Sequence, residues 1–221
     1  MNQLFSSNAQ LLISKPALLE NIATYRSKLN SSTKILLMVK ANGYGTDNLL
    51  VAKEVESKVD YFGVAFPANG FELRANGIKK PILVMAGTAQ QLAKMANQNL
   101  EPVLYSLAMV KAAIALNQPI RVHLEIDAGM KRLGLLEHQL ENIITLINNS
   151  KIHVVSSFAH VVAPGNPKHD KFTHQQAAYF NSCFEKLTLG LNNTPFKHLM
   201  PTGGAVRFKQ YQYDMVRLGI G

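Results

Sequence analysis

The sequence predicts a closed (β/α)8 barrel of parallel strands, a TIM barrel in architecture, on three observations. Short apolar strand candidates alternate with helical patterns along the chain, and such alternation builds a parallel sheet. Eight strand candidates occur at this spacing, the number that closes a barrel. The chemically suggestive residues fall at the C-terminal ends of those strands, where barrels of this class carry their active sites. A doubly wound open sheet is the rival, but it usually carries a dinucleotide fingerprint after its first strand, and none is present.

The elements follow in order. Residues 11–14, Leu11-Leu12-Ile13-Ser14, read as an extra strand with no slot in the barrel, and about 15–29 as a helix. The first strand, about 34–40, is an apolar run that ends in Lys40. Helix 47–57 leads to strand 61–66, helix 67–76 to strand 81–85, and helix 88–98 to strand 101–105. Helix 106–117 precedes strand 120–127, helix 137–149 precedes strand 153–159, and helix 172–189 precedes strand 196–200. Only loose patterning separates this last strand from the eighth, 213–217. Each strand is short, bounded by turn residues and rich in Val, Ile, Leu, Phe or Tyr.

Composition narrows the function classes. With 221 residues, 47% of them hydrophobic, the chain is long enough for one large core. No apolar run approaches the roughly 20 residues of a membrane span, so no membrane association is expected. Met1-Asn2-Gln3-Leu4-Phe5 lacks the basic-then-apolar pattern of a signal peptide. Cys183 is the only cysteine, so no internal disulfide forms, and a reducing, cytoplasmic location is expected. The net charge of +9 raises nucleic acid as a partner. The basic residues are spread, however, with no run longer than Lys79-Lys80, so nucleic acid is discounted. The positive excess suits anionic small molecules, phosphates included.

Several segments carry chemistry. A lysine at the end of a buried strand has its tail in apolar surroundings, which favours the neutral amine that attacks an aldehyde. Lys40 has that position, the Asn42-Gly43 turn allows close backbone approach to a ligand, and Tyr44 could reach an anionic group. A lysine holding pyridoxal phosphate as a Schiff base needs this arrangement; a solvated lysine at a turn is the alternative. In Ile120–Asp127 the residues alternate, with His123, Glu125 and Asp127 on the face expected to line the lumen. Buried charge there must be paired, and a Glu125–Arg132 pair is expected, structural or functional. His160 ends the sixth strand, Thr202-Gly203-Gly204 could turn its N–H groups onto a phosphate, and Arg217 ends the eighth.

Together these segments resemble the alanine racemase family over nearly the whole chain. The motifs are Val39-Lys40-Ala41-Asn42-Gly43-Tyr44-Gly45, His123 through Gly134, and Asp214-Met215-Val216-Arg217-Leu218-Gly219-Ile220. The resemblance implies a pyridoxal 5'-phosphate-dependent isomerase that interconverts L- and D-alanine for peptidoglycan, with serine as a second substrate possibility and a homodimer as the full-length form. Lys40 would carry the cofactor and act as one of two bases, on the D-enantiomer's face. Tyr44, Thr202 and the backbone of Gly219 and Ile220 would bind the phosphate. Arg132 would donate to the phenolic oxygen, His160 would lie against the ring, and Arg217 would face the pyridine nitrogen. Glu125 stands where many members have a lysine that is carbamylated, so here the carboxylate that orients Arg132 would be encoded directly.

The sequence departs from the family in three places. Pro201-Thr202 replaces the common Asn-Ser, and an acidic residue often found after His160 is absent from Val161-Val162-Ala163-Pro164-Gly165-Asn166. Third, the resemblance implies a C-terminal β domain with a second-base tyrosine, and these 221 residues are expected to represent the barrel without it. The expectation is therefore a racemase barrel domain over 10–221, incomplete for catalysis alone. A single-domain pyridoxal-phosphate-binding protein without turnover is the runner-up. A decarboxylase of the same barrel class ranks lower, because the arginine motif argues against it.

Overall fold

The computed structural model describes residues 11–220 and closes eight parallel strands into a barrel in strict chain order, β1 next to β2 and β8 back against β1. The strands are β1 (Lys34–Met38), β2 (Tyr61–Val64), β3 (Ile82–Val84), β4 (Leu100–Leu104), β5 (Ile120–Ile126), β6 (Ile152–Ala159), β7 (Phe196–Pro201) and β8 (Met215–Leu218). The helices are α1 (Lys15–Lys28), α2 (Lys40–Tyr44), α3 (Asn48–Val55), α4 (Pro67–Ala75), α5 (Leu92–Asn97), α6 (Leu107–Ala115), α7 (Leu140–Asn148), α8 (Asp170–Gly190) and α9 (Thr202–Ala205). Residue 10, Gly221 and Met1–Phe5, on which the domain limits and the leader expectation rest, lie outside the described residues. No helix among the described residues is long and apolar enough to cross a membrane.

Strand alternation sorts the side chains into two cores. Ile35, Leu37, Phe62, Val64, Ile82 and Val84 face outward and pack with the helices, which contribute Leu73, Met95, Ile143 and Phe180. Leu36, Met38, Tyr61, Leu83, Val103, Phe158 and Met215 face inward and fill the lumen. Each fully buried large apolar side chain contributes about 1.5–3 kcal/mol. Cys183 is buried on α8 against the outer core, and burial pushes its thiol up to about 11, as befits a packing residue.

The structure departs from the expected elements in three places. Leu11–Ile13 forms no strand among the described residues; Leu11 and Leu12 are exposed, and Ser14 instead caps α1 by accepting from the Ala17 N–H. β1 ends at Met38 rather than at Lys40, because Ala41, Asn42, Gly43 and Tyr44 all take positive φ and wind a left-handed turn. Ala41, Asn42 and Tyr44, the three non-glycine residues of the run, are strained, and strain of this kind collects at functional sites. Third, the loosely patterned stretch before β8 contains α9 and a 3-10 turn, Lys209–Tyr211. The buried Gln212 amide ties this stretch to α1 by donating to Lys28 O and Ala205 O.

Candidate active site

At the C-terminal mouth of the barrel a cavity of about 370 Å3 is lined by Lys40, Tyr44, Arg132, His160, Thr202, Arg217, Gly219 and Ile220. Eight of the nine site residues expected from sequence thus meet in one place, although they come from five separate segments. The cavity also takes in Met85, Ala163 and Pro164, which no motif marked. Larger clefts exist, one of about 620 Å3 beside α1. Its Arg26 and Asp60 are bonded to each other, and Asp60 also accepts from the Ile35 N–H, so these charges are occupied in holding the fold.

Lys40 sits at the rim, exposed, immediately before the left-handed turn. The expected burial of its tail at a strand end is therefore corrected: β1 has already stopped, and the turn lifts the residue out of the packed lumen. The same turn aims Tyr44 at Gly219, just past the neighbouring β8. A Cβ built on Gly219 would lie 2.5 Å from the Tyr44 hydroxyl, so glycine is what lets the tyrosine in. The Gly219 N–H donates to Thr202 Oγ1 at 2.8 Å. Two hydroxyls and the N-terminal turn of α9 converge there, a donor set suited to a phosphate. Threonine thus occupies the turn despite Pro201 before it. Pro164 and Gly165 pack over Gly203 and Gly204 from the other side. Arg207 holds that lid by donating to Pro164 O and, bidentately, to the Asp170 carboxylate at 3.0 and 2.9 Å.

Arg217 forms the floor. Its Nη2 donates to Ala159 O at 2.8 Å and Leu199 O at 2.9 Å, and its Nη1 donates to His198 Nδ1 at 2.9 Å. The guanidinium lies over the Phe158 ring, which in turn stacks on His198. Burial pushes Arg217 down to about 10, with Glu125 acting the other way, so it stays charged at neutral pH. Burial also drives His160 down to about 3, assisted by the charges of Arg217, Arg132 and Lys40, and keeps its imidazole neutral. His198 was not marked as a site residue in the sequence. The signal was its place two residues after Phe196, on the lumen-facing register of β7.

Glu125 departs from expectation. It is buried on β5, but no ion pair joins it to Arg132 among the described residues. Burial pushes its carboxyl up to about 7, only partly offset by the charges of Arg217 and Arg132. The loop that carries Arg132 is pinned elsewhere. Asp127 accepts from the N–H groups of Gly129 and Lys131, and Leu135 exchanges hydrogen bonds with the backbone of Glu125 and Asp127. Arg132 is thereby left exposed at the tip.

Residues 13–221 match the family model described as alanine racemase, N-terminal domain. The chain is similar to alanine racemase 1 of Oceanobacillus iheyensis, 29% identical over 220 residues, covering 96% of this chain and 58% of the relative. An alanine racemase of Shewanella baltica strain OS185 is 34% identical over 218 residues, 94% of this chain and 57% of the relative. Among solved structures, the alanine racemase of Clostridium difficile 630 superposes with a TM-score of 0.85 at 29% identity, over 92% of this chain and 55% of that one. That of Corynebacterium glutamicum gives 0.87 at 25% identity, over 93% and 60%. The chain spans somewhat over half the length of the relatives it matches.

Proposed function

We propose that this chain, which belongs to the alanine racemase N-terminal domain family, holds pyridoxal 5'-phosphate at the barrel mouth and serves one face of an amino-acid racemisation. The observation that carries the proposal is the glycine cradle. Only a residue without Cβ at 219 admits the Tyr44 hydroxyl, and Tyr44, Thr202, Gly219 and Ile220 line one cavity whose hydroxyls suit a phosphate. Lys40 lines the same cavity as Arg217.

In this reading Lys40 anchors the cofactor aldehyde, Tyr44 and Thr202 hold its phosphate, Arg132 donates to its phenolic oxygen and His160 lies against its ring. When bound, the cofactor withdraws electrons from the amino-acid Cα, which makes that proton removable. Arg217 keeps its own proton and offers the pyridine nitrogen a hydrogen bond rather than a full proton. That restrains electron withdrawal and favours simple proton return over other outcomes. Glu125, buried in the lumen and held toward its protonated form by desolvation, lies near Arg132 and Arg217 without an ion pair to either among the described residues.

Racemisation needs a base on each face of Cα. Lys40 Nζ takes the proton of the D-enantiomer; the opposite base comes from a group outside the described barrel. Alanine is the proposed substrate, in the cytoplasm and for cell-wall precursors, with a homodimer as the working form of the whole enzyme.

The test uses the chain with added cofactor. Binding gives the absorbance of a lysine-bound pyridoxal, and Lys40→Ala abolishes it. In deuterated water the chain exchanges the Cα proton of D-alanine faster than that of L-alanine, followed by proton NMR. Binding without any exchange would favour a carrier of the cofactor over a racemase.

A further inference from the structure

The lumen of the barrel contains an unbroken file of buried polar groups that no function so far assigned requires. It starts at Arg217 in the cofactor cavity, whose Nη1 donates to His198 Nδ1 at 2.9 Å. His198 Nε2 meets Ser156 Oγ at 2.7 Å, Ser156 Oγ meets His123 Nδ1 at 2.6 Å, and His123 Nε2 meets Glu101 Oε2 at 2.9 Å. Glu101, near the start of β4 at the other end of the barrel, also accepts from Arg121 Nε at 2.7 Å. His123, Ser156 and His198 are completely buried, so each proton in the file has only its neighbours as partners.

Chemistry assigns the direction of every bond. Arg217 can only donate, so His198 Nδ1 accepts and its proton sits on Nε2. Ser156 accepts that proton's bond and must spend its own hydrogen on His123 Nδ1. His123 then carries its proton on Nε2 and donates it to Glu101. All four bonds point from Arg217 toward one carboxylate. A file of this kind polarises cooperatively, and its terminal anion holds every tautomer in register. Burial, Arg217 and His123 keep His198 well below its ordinary pKa, consistent with a neutral ring. For Glu101, burial acts upward, but the hydrogen bonds from His123 and Arg121 outweigh it and hold the carboxyl below its ordinary range.

We propose that Glu101 is a positioning residue for the cofactor site: acting through His123, Ser156 and His198, it fixes the tautomer that receives Arg217 and so aims the guanidinium that faces the pyridine nitrogen. Arg217 needs such an arrangement because no carboxylate pairs with it directly among the described residues, and its orientation rests on acceptors alone. The proposal rests on the cofactor reading only for its consequence; the coupling itself is a property of the chain alone.

The experiment is a double-mutant cycle with Glu101→Gln and Ser156→Ala, read by nitrogen NMR of the imidazoles in the cofactor-free chain. Ser156→Ala cuts the file in the middle with loss of a single hydroxyl. The expected result is that Glu101→Gln shifts the His198 ring resonances, and that the same substitution in the Ser156→Ala background leaves them where Ser156→Ala alone puts them. Pyridoxal phosphate affinity falls about fivefold in Glu101→Gln, the size expected of coupled hydrogen-bond partners. Should Glu101→Gln fail to fold, Glu101→Asp takes its place in the cycle, since it keeps the charge but withdraws it from His123. Unmoved His198 resonances, or equal shifts with and without Ser156, overturn the proposal. Failure of the cofactor to bind any variant, wild type included, with the NMR coupling intact, overturns the proposed function and leaves the coupling standing.

Discussion

The Tyr44 hydroxyl occupies the space in which residue 219 would carry a side chain, 2.5 Å from an ideal Cβ on Gly219. The contact joins the turn after β1 to the residue after β8, two segments that meet only because β8 closes against β1. Gly219→Ala must therefore displace a rigid phenol from the proposed phosphate cradle. The expected outcome is a loss of cofactor affinity of about tenfold or more, the cost of one charge-assisted hydrogen bond. Fluorescence titration of the chain measures it, and an unchanged affinity would remove Tyr44 from the cradle.

Glu125 sets a pH dependence of stability. Its folded pKa of about 7 lies above the ordinary 4.5, so the native state holds a proton that the unfolded chain has already lost. The stability it contributes is fully present below pH 4.5 and is lost as pH rises through about 7, by up to about 3 kcal/mol. Glu125→Gln, which cannot ionise, should gain on wild type as pH rises from 5 to 8 in urea unfolding. Parallel pH profiles for the two proteins would show that the carboxyl is ionised in the fold throughout.

The loop that presents Arg132 turns on Gly134. A Cβ there would run into the backbone of Ile126 and Asp127, and its φ of +133° is one that other residues rarely adopt. Neither obstacle is a flexible side-chain end. Gly134→Ala should cost about 1–3 kcal/mol and weaken cofactor binding by releasing the Arg132 loop. Thermal unfolding and cofactor titration would report the two effects separately.

Arg207 should separate stability from binding. Its pair with Asp170 is partly exposed, and such pairs contribute at most about 1 kcal/mol. Yet Arg207 also holds Pro164 O, which keeps the 163–166 loop over Gly203 and Gly204. Arg207→Ala is expected to leave unfolding nearly unchanged while it speeds cofactor release in stopped-flow measurements. A large loss of stability without faster release would assign the arginine a purely structural part.

The barrel was legible because each of its signals is local. Ile35 to Val39 reads as a buried strand from residue type alone, and Ile120–Asp127 shows its two faces by alternation. The cavity residues were legible for the same reason: a strand end is a place in sequence, and closing the barrel brings all strand ends to one rim. Less visible were elements shorter than a periodicity window, such as the four residues of α9, and the exact stop of β1, which depends on positive φ at Ala41 and Asn42.

By itself the sequence determined the strand order, the family motifs and which side chains reach the mouth, since these follow from residue type and spacing along one chain. The tertiary structure decided what each of those side chains meets. It left Glu125 without Arg132, lifted Lys40 to the rim, set Gly219 under Tyr44 and threaded His123, Ser156 and His198 between Glu101 and Arg217. Hydrogen bonds and steric contacts form over a few ångströms between strands far apart in the chain, so their partners exist only once the barrel has closed.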